Sequence, residues 1–338
     1  MGRESKSPAF ERMKKQLVFY LIMGVLCFSI GVWPFPIRVQ AEERGDFPPD
    51  LTMVPPQRLL ELHESTPQQI KRKAIEEALL AGRENSLPVL RQTLITGNET
   101  QKLFSLGLLM EMRDRESGGI LLHLLTDKSL KVQRRTAYAF GHLKNEEAYN
   151  ALVNVLRTTQ DVGVIKSGLA GLGMLGSKKA VPFLRGWLDH LDASVRVNAA
   201  ISLAALESEE GLTEVIQASM GEDNQTRREG TFGLGFFQDP RARSRLQKII
   251  DDPETPWKNE AQIALWKIDL SAQSPPDRLP LLQKLLGHPN RAVSKWAIDE
   301  TAELGTPEAI GALQSMAADP SGSGRHARRK LLALGRLK

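Results

Sequence analysis

Apolar and polar positions recur along this chain with a period of about 31 residues. The stretch Val195-Arg196-Val197-Asn198-Ala199-Ala200-Ile201-Ser202-Leu203 carries its apolar side chains on a helical period, and stepping away from it in either direction finds the same pattern. The anchor falls at Ile70, Gln101, Val132, Val164, Val195, Thr226, Trp257, Val293 and His326, with steps of 31, 31, 32, 31, 31, 31, 36 and 33. Eight residues later stand Ala78, Leu109, Phe140, Leu172, Leu203, Leu234, Leu265, Thr301 and Leu334. Nine residues later, Gly141, Gly173, Ala204, Gly235, Ala302 and Gly335 leave room for a neighbouring helix to approach closely.

Three residues before the anchor stand Asn98, Ser129, Asp161, Asp192, Asp223, Glu254, Asn290 and Ser323. Side-chain oxygens there can accept from the unpaired amides of a first helical turn, so each position predicts a helix start. The aspartates recur once per repeat instead of gathering in one pocket, which argues for capping over an acidic catalytic site. A second ladder, Leu90, Leu121, Leu152, Leu184, Val215, Leu246, Leu282 and Leu313, has Leu94, Leu125, Leu156, Leu188, Ser219, Ile250, Leu286 and Ala317 four residues on. The i, i+4 pairing marks one face of a second helix. This ladder jumps 36 residues from Leu246 to Leu282 and then returns to 31, which places five extra residues in unit seven, in 271–276. No segment reads as a strand. A unit this short cannot bury its own apolar face, so stacking must bury it against the next unit. The expectation is an all-α fold, a right-handed α-solenoid of about nine two-helix repeats over 67–338.

The pattern resembles the short HEAT-like repeats of the phycobilisome-lyase type. The residues that carry the resemblance are Asp192-x-x-Val195-Arg196-x-x-Ala199-Ala200-x-x-Leu203 and the run from Val164 through Leu175, followed by Gly176 and Ala180-Val181-Pro182-x-Leu184. The resemblance implies a superhelix that binds protein. It also brings in relatives of other kinds: chromophore lyases, alkyl-base DNA glycosylases and di-iron hydroxylases. The hydroxylases repeat a His-Glu dipeptide across several units, whereas here only His63-Glu64 occurs, ahead of the array.

Charge changes the picture less than the total suggests. The chain has 338 residues and a formal net charge of +5. Residues 1–41 hold Arg3, Lys6, Arg12, Lys14, Lys15 and Arg38 against Glu4 and Glu11, which leaves 39 basic and 38 acidic residues from 42 onward. A nearly neutral body argues against a nucleic-acid binder, which carries a basic domain or stripe. Lys14-Lys15, the apolar run 17–33 and Val39-Gln40-Ala41 ahead of Glu42-Glu43 have the order of an export signal, cut after Ala41 or kept as a membrane anchor. Either form places the body outside the cytoplasm, since positive charge stays inside. The lone Cys27 lies in that leader, behind Leu26, a residue too large for a lipidation site. Residues 42–66, with Pro48-Pro49 and Pro55-Pro56, predict a linker with a short helix at Arg58 to His63.

Candidate chemistry is sparse. His63, His123, His142, His190, His288 and His326 show no pairing at metal-ligand spacing, so no metal and no cofactor is expected. The four glycines of 168–176 lie in register with the other first helices and predict close packing, not a phosphate loop. Trp257, Trp266 and Trp296 gather in units seven and eight, either as packing or as aromatic anchors for a peptide. Arg227, Arg228, Arg241, Arg243 and Arg245 form one basic cluster, and Arg325, Arg328, Arg329, Lys330, Arg336 and Lys338 form another, both read as solvated surface. If second helices line the concave face, a polar column there predicts a partner-binding ridge: Gln92, His123, Asn154, Arg185, Gln217, Gln247, Lys248 and Lys284. The expected function is an extracytoplasmic scaffold for a protein or peptide, without catalysis and without nucleic acid. It would touch a membrane only through an uncleaved leader. The alternatives are a lyase that attaches or removes a prosthetic group, and DNA binding or repair through the late basic clusters.

Overall fold

The computed structural model describes residues 50–142 and 148–337; the leader with Cys27 and the terminal Lys338 lie outside the described residues. Among the described residues every regular element is helical. The helices are α1 (Pro56–Ser65), α2 (Gln69–Ala81), α3 (Arg83–Thr96), α4 (Glu99–Glu111), α5 (Gly118–Leu124) and α6 (Leu130–His142). They continue with α7 (Ala148–Thr158), α8 (Val162–Leu175), α9 (Val181–Arg185), α10 (Ala193–Ala205), α11 (Leu212–Ala218) and α12 (Asn224–Leu234). The last six are α13 (Pro240–Asp251), α14 (Lys258–Ser271), α15 (Pro275–Leu286), α16 (Arg291–Leu304), α17 (Pro307–Ala317) and α18 (Gly322–Ala333). The chain is an α-solenoid. Even-numbered helices are the first helices of the units and odd-numbered ones from α3 are the second.

The two ladders form the core. All eight positions of the second-helix ladder, Leu90 through Leu313, are at most 1% exposed. The first-helix ladder is buried from Leu109 through Leu234 and at Thr301. It slips in three units. Ile70 is 82% exposed, and Leu79 takes the buried place expected of Ala78. In units seven and nine, Ala264 and Ala333 are buried where Leu265 and Leu334 were expected, and those two leucines stay partly exposed. Most predicted caps form: Asn98, Asp161, Asp192, Asp223 and Asn290 each accept from the amides of their own first turn. Glu254 does not, because Pro253 and Pro256 bracket it and α14 cannot start until Lys258. Ser323 is replaced by Ser321, which accepts from the Gly324 amide, while Ser323 instead accepts from the Ser294 hydroxyl at 2.8 Å. The five extra residues mostly join the helices, since only 272–274 separate α14 from α15.

Which layer faces inward follows from reach. Lys166 on α8 pairs with Glu229 on α12 at 2.6 Å, past α10, and α18 touches both α2 and α4. Only the inner layer of a curved stack lets one element reach past its neighbour. Even-numbered helices therefore make the inner face, which corrects the expectation that second helices line it. The glycine column is the physical reason, because it sits on the first helices and lets that layer contract. A Cβ on Gly141 would lie 2.5 Å from the Gly171 carbonyl oxygen, and one on Gly171 would lie 2.5 Å from that of Ala137. Gly173 against Ser202 and Gly235 against Ala264 repeat the contact at 2.8 and 2.9 Å to Cα. The glycines of 168–176 thus serve helix packing, as their register predicts.

The array also closes on itself. α18 docks on α2. Arg329 of α18 donates to Glu111 at 2.9 and 3.0 Å and to Glu76. Arg83 donates to the Ala333 carbonyl at 2.7 Å and to the Met112 carbonyl at 2.5 Å, and Arg113 pairs with Glu303 at 2.6 Å. The stretch expected as a linker takes part. From residue 50 it forms a 3-10 turn at Leu51–Met53 and then α1, longer than the short helix anticipated. α1 packs on α2 and α3 as α3 packs on α4 and α5, with Leu59 and Leu62 buried. It therefore stands in the outer layer next to the seam, where the inner helix comes from the far end of the chain.

Candidate functional site

The inner face is built from positions on first helices that point away from the core. Along α12 these are Glu229 and Phe232, three residues apart and so on one face, and Phe236 follows in the turn just past the helix end, edge-on to Phe232. Glu229 accepts from Lys166 and from the Asn198 amide at 3.2 Å. Phe232 is 44% exposed, and Tyr138, on α6, is 40% exposed. Tyr138 stands edge-on to His142, whose surroundings reach across the seam to Arg113, Glu303 and Lys330. Burial lowers the His142 pKa, and the two cations add to that effect while Glu303 opposes it. Aromatic rings and charged groups thus alternate along a surface that faces its own far side.

Two recesses open on this face. One, of about 440 Å³, lies at the carboxyl ends of α10, α12 and α14. Its main cation is Lys267, whose Nζ lies 4.0 Å from the Phe236 ring centroid and 4.6 Å from that of Phe232. Burial pushes the Lys267 pKa down, and the charge of Glu300 pulls the other way. The ring faces stabilise the ammonium where water is scarce. The other recess, about 620 Å³, is at the seam, between α2, α16 and α18. There burial raises the Glu76 pKa, but hydrogen bonds from His63 and Arg329 outweigh it and hold the carboxyl below its ordinary value. Asp299 is held low in the same way by His326 and Lys330 against its burial.

The histidines do not converge. His190 and His288 each accept, through Nδ1, the amide of the N-cap residue two positions on, at 3.0 Å from Asp192 and 3.1 Å from Asn290. They fix helix starts. His63 stacks on Phe104 at 3.9 Å, and His326 bonds Asp299 at 2.9 Å. Among the described residues no group of three or more His, Cys, Asp and Glu side chains is placed to hold a metal ion. Trp266 and Trp296 stack at 6.0 Å and 10°, whereas Trp257 packs in the preceding core cluster with its buried Nε1 unpartnered among the described residues. The expected cluster of three is thus a pair.

The predicted ridge is exposed at all eight positions, and it runs along the outer layer: Gln92 on α3, His123 on α5, Asn154 on α7, Arg185 on α9, Gln217 on α11, Gln247 and Lys248 on α13, Lys284 on α15. Some of it is engaged at home, since Arg185 pairs with Glu210 and Gln247 donates to Asp251 at 2.9 Å. Sequence reasoning missed Phe232, Lys267, Lys73, Arg291 and Lys295. A readable signal existed for this face. Three residues after the anchor stand Phe104, Arg135, Asn198, Glu229, Trp296 and Arg329, all large polar or aromatic side chains on a helix otherwise committed to packing.

Residues 119–204 and 261–333 match the family of HEAT repeats. No curated protein sequence matches the chain. Among solved structures, the complex of CpcE and CpcF of phycocyanin lyase from Nostoc sp. is 17% identical with a TM-score of 0.50, covering 81% of this chain and 99% of that one. Human deoxyhypusine hydroxylase in complex with glycerol is 17% identical with a TM-score of 0.36, covering 76% of this chain and 98% of that one. Kap95p in its complex with RanGDP is 13% identical with a TM-score of 0.39, covering 94% of this chain and 48% of that one. The likeness to the first is one of fold. Among the described residues no helix is long and apolar enough to cross a membrane.

Proposed function

Taking as premise that the chain is an α-solenoid of HEAT-like repeats, we propose that it is an extracytoplasmic scaffold binding a protein or peptide partner on its inner face. The observation that carries this reading is the exposure of Tyr138 and Phe232 among charged groups on the first helices. Exposed aromatic rings framed by polar side chains are the usual anchors of a protein interface. They bury large area at little cost in rotamer entropy. The reading assigns binding, not chemistry: His190 and His288 stabilise helix starts, His63 and His326 stabilise neighbouring carboxylates, and Lys267 is held against aromatic rings.

Photo-crosslinking tests the face. A benzoylphenylalanine introduced at Tyr138 or Phe232 of the full chain, expressed in its own cell envelope, should give a discrete crosslinked product. The same group at Gln217, on the outer layer, should not. Equal yield from Gln217, or no product from either inner position, would sink the reading.

Export rests on the leader sequence. Mass spectrometry of the purified protein should find Glu42 at the amino terminus if the leader is cleaved, or an intact chain in the membrane fraction if it is an anchor. An intact chain in the soluble cytoplasmic fraction would refute extracytoplasmic placement.

A further inference from the structure

The seam recess is unevenly charged. Its carboxylates Glu76 and Glu111 are both engaged by Arg329, and Asp299 by Lys330 at 2.9 Å. Lys73, Arg291 and Lys295 line the same recess, all exposed, and among the described residues none has an ion-pair or hydrogen-bond partner. Among the described residues Arg72 and Arg325 bind only backbone carbonyls, those of Thr66 and Pro320, each at 2.6 Å. Against these five cations stands, among the described residues, one carboxylate without an ion pair, Glu77.

A second, independent feature adds to the charge. Gln69, Arg291 and Gly322 are the first residues of α2, α16 and α18, and all three line the recess. Three helix amino termini therefore open on one cleft, each bringing the positive end of its dipole, although only α2 lacks a side-chain cap, since Asn290 and Ser321 accept from first-turn amides of α16 and α18. Exposed like charges gathered in one place raise each other's energy, and an anionic ligand relieves that.

We propose that this cleft binds an acidic peptide segment of the partner, with its carboxylates against Lys73, Arg291 and Lys295. The proposal rests on the inner-face reading for its choice of a polypeptide. An extended peptide presents carboxylates at intervals and can set them against the cations while leaving Glu77 and the engaged Glu76 without a facing negative charge. A nucleic-acid backbone is charged at every phosphate and needs an unbroken basic stripe. Here the body carries 39 basic and 38 acidic residues from 42 onward, and carboxylates interrupt the cleft.

The test uses the full chain and a fluorescein-labelled peptide of alternating glutamate and serine, followed by anisotropy. The peptide should bind at low salt and weaken at physiological salt. The double variant Lys73→Glu, Lys295→Glu should bind it at least about tenfold more weakly, and so should Arg291→Glu, with thermal melts unchanged because none of the three holds a partner among the described residues. Absence of peptide binding, or unchanged binding by both variants, overturns the proposal. Tighter binding of a single-stranded oligonucleotide than of the peptide overturns the choice of ligand class. If inner-face crosslinks persist while the peptide does not bind, the cleft assignment falls and the scaffold reading stands. If the peptide binds through Lys73 and Lys295 but Tyr138 and Phe232 give no crosslink, the reverse holds.

Discussion

Replacing Gly171 with alanine should destabilise the protein by about 1–3 kcal/mol, the usual range for forcing a methyl group into a filled core. Replacement with leucine should prevent α6 and α8 from docking at all. A Cβ at Gly171 would stand 2.5 Å from the Ala137 carbonyl oxygen, and backbone cannot swing aside as a flexible side chain can. The opposing glycine, Gly141, makes the reciprocal contact with Gly171, so neither helix has slack. The contrast is Gly311, inside α17, where a Cβ would meet nothing within 4 Å. Gly311→Ala should raise stability by about 0.5–1 kcal/mol through helix propensity alone. The same methyl group thus has opposite signs at two helical glycines. Thermal melts followed by circular dichroism check both. A Gly171→Ala protein as stable as the parent would show that the inner layer is not held at glycine distance.

That close packing was readable in the sequence because it is local and periodic. Gly141, Gly173 and Gly235 hold one register position, the aspartate caps another, and Leu90 through Leu313 a third. Each signal repeats in several units, so one slipped unit does not erase it. The slips themselves have local causes, such as the prolines that delay α14. Direction of curvature was not readable from the same ladders, since both helices of a unit are amphipathic and either could face inward. What decides it is which layer contracts, and that lay in the glycine column, visible in the sequence but read only as close approach. Closure was harder still. Arg329 meets Glu76 across a separation of 253 residues, and no periodicity links them. The last basic cluster, read as solvated surface, therefore holds both a structural clamp, Arg329 and Lys330, and the unpaired Arg325 guanidinium face. The proline pairs at 48–49 and 55–56 obscured the part played by α1 for a related reason: they mark the chain up to the helix start, and Leu59 and Leu62 offer too short a pattern to reveal a partner. Among site residues, Lys267 has no sequence signature, because only the fold brings Phe232 and Phe236 beneath it.

Arg329→Met should open the seam while leaving the rest of the array folded. The guanidinium serves two carboxylates at once, and its side chain is 22% exposed against 22% for Glu76 and 30% for Glu111. Removing one partner of a buried pair costs about 3–5 kcal/mol; with this much exposure, solvent screening brings the expectation to about 2–3 kcal/mol. Most of that cost is the two carboxylates left without a cation. The triple variant Arg329→Met, Glu76→Gln, Glu111→Gln should therefore recover much of the loss. In a repeat array each unit leans on its neighbours, so the damage should stay near α18 and α2. Hydrogen exchange should speed there and remain slow in α8, and a uniform change along the array would contradict a local clamp. Acid should mimic the substitution. Glu76 is held below the ordinary glutamate value of 4.5 in the folded protein, so it binds a proton more readily once unfolded. Its contribution is complete above that value and disappears as pH falls through the lower folded one. Seam exchange in the parent should accordingly rise below about pH 4.5, while in the triple variant, which lacks both carboxylates, it should be far less sensitive to acid.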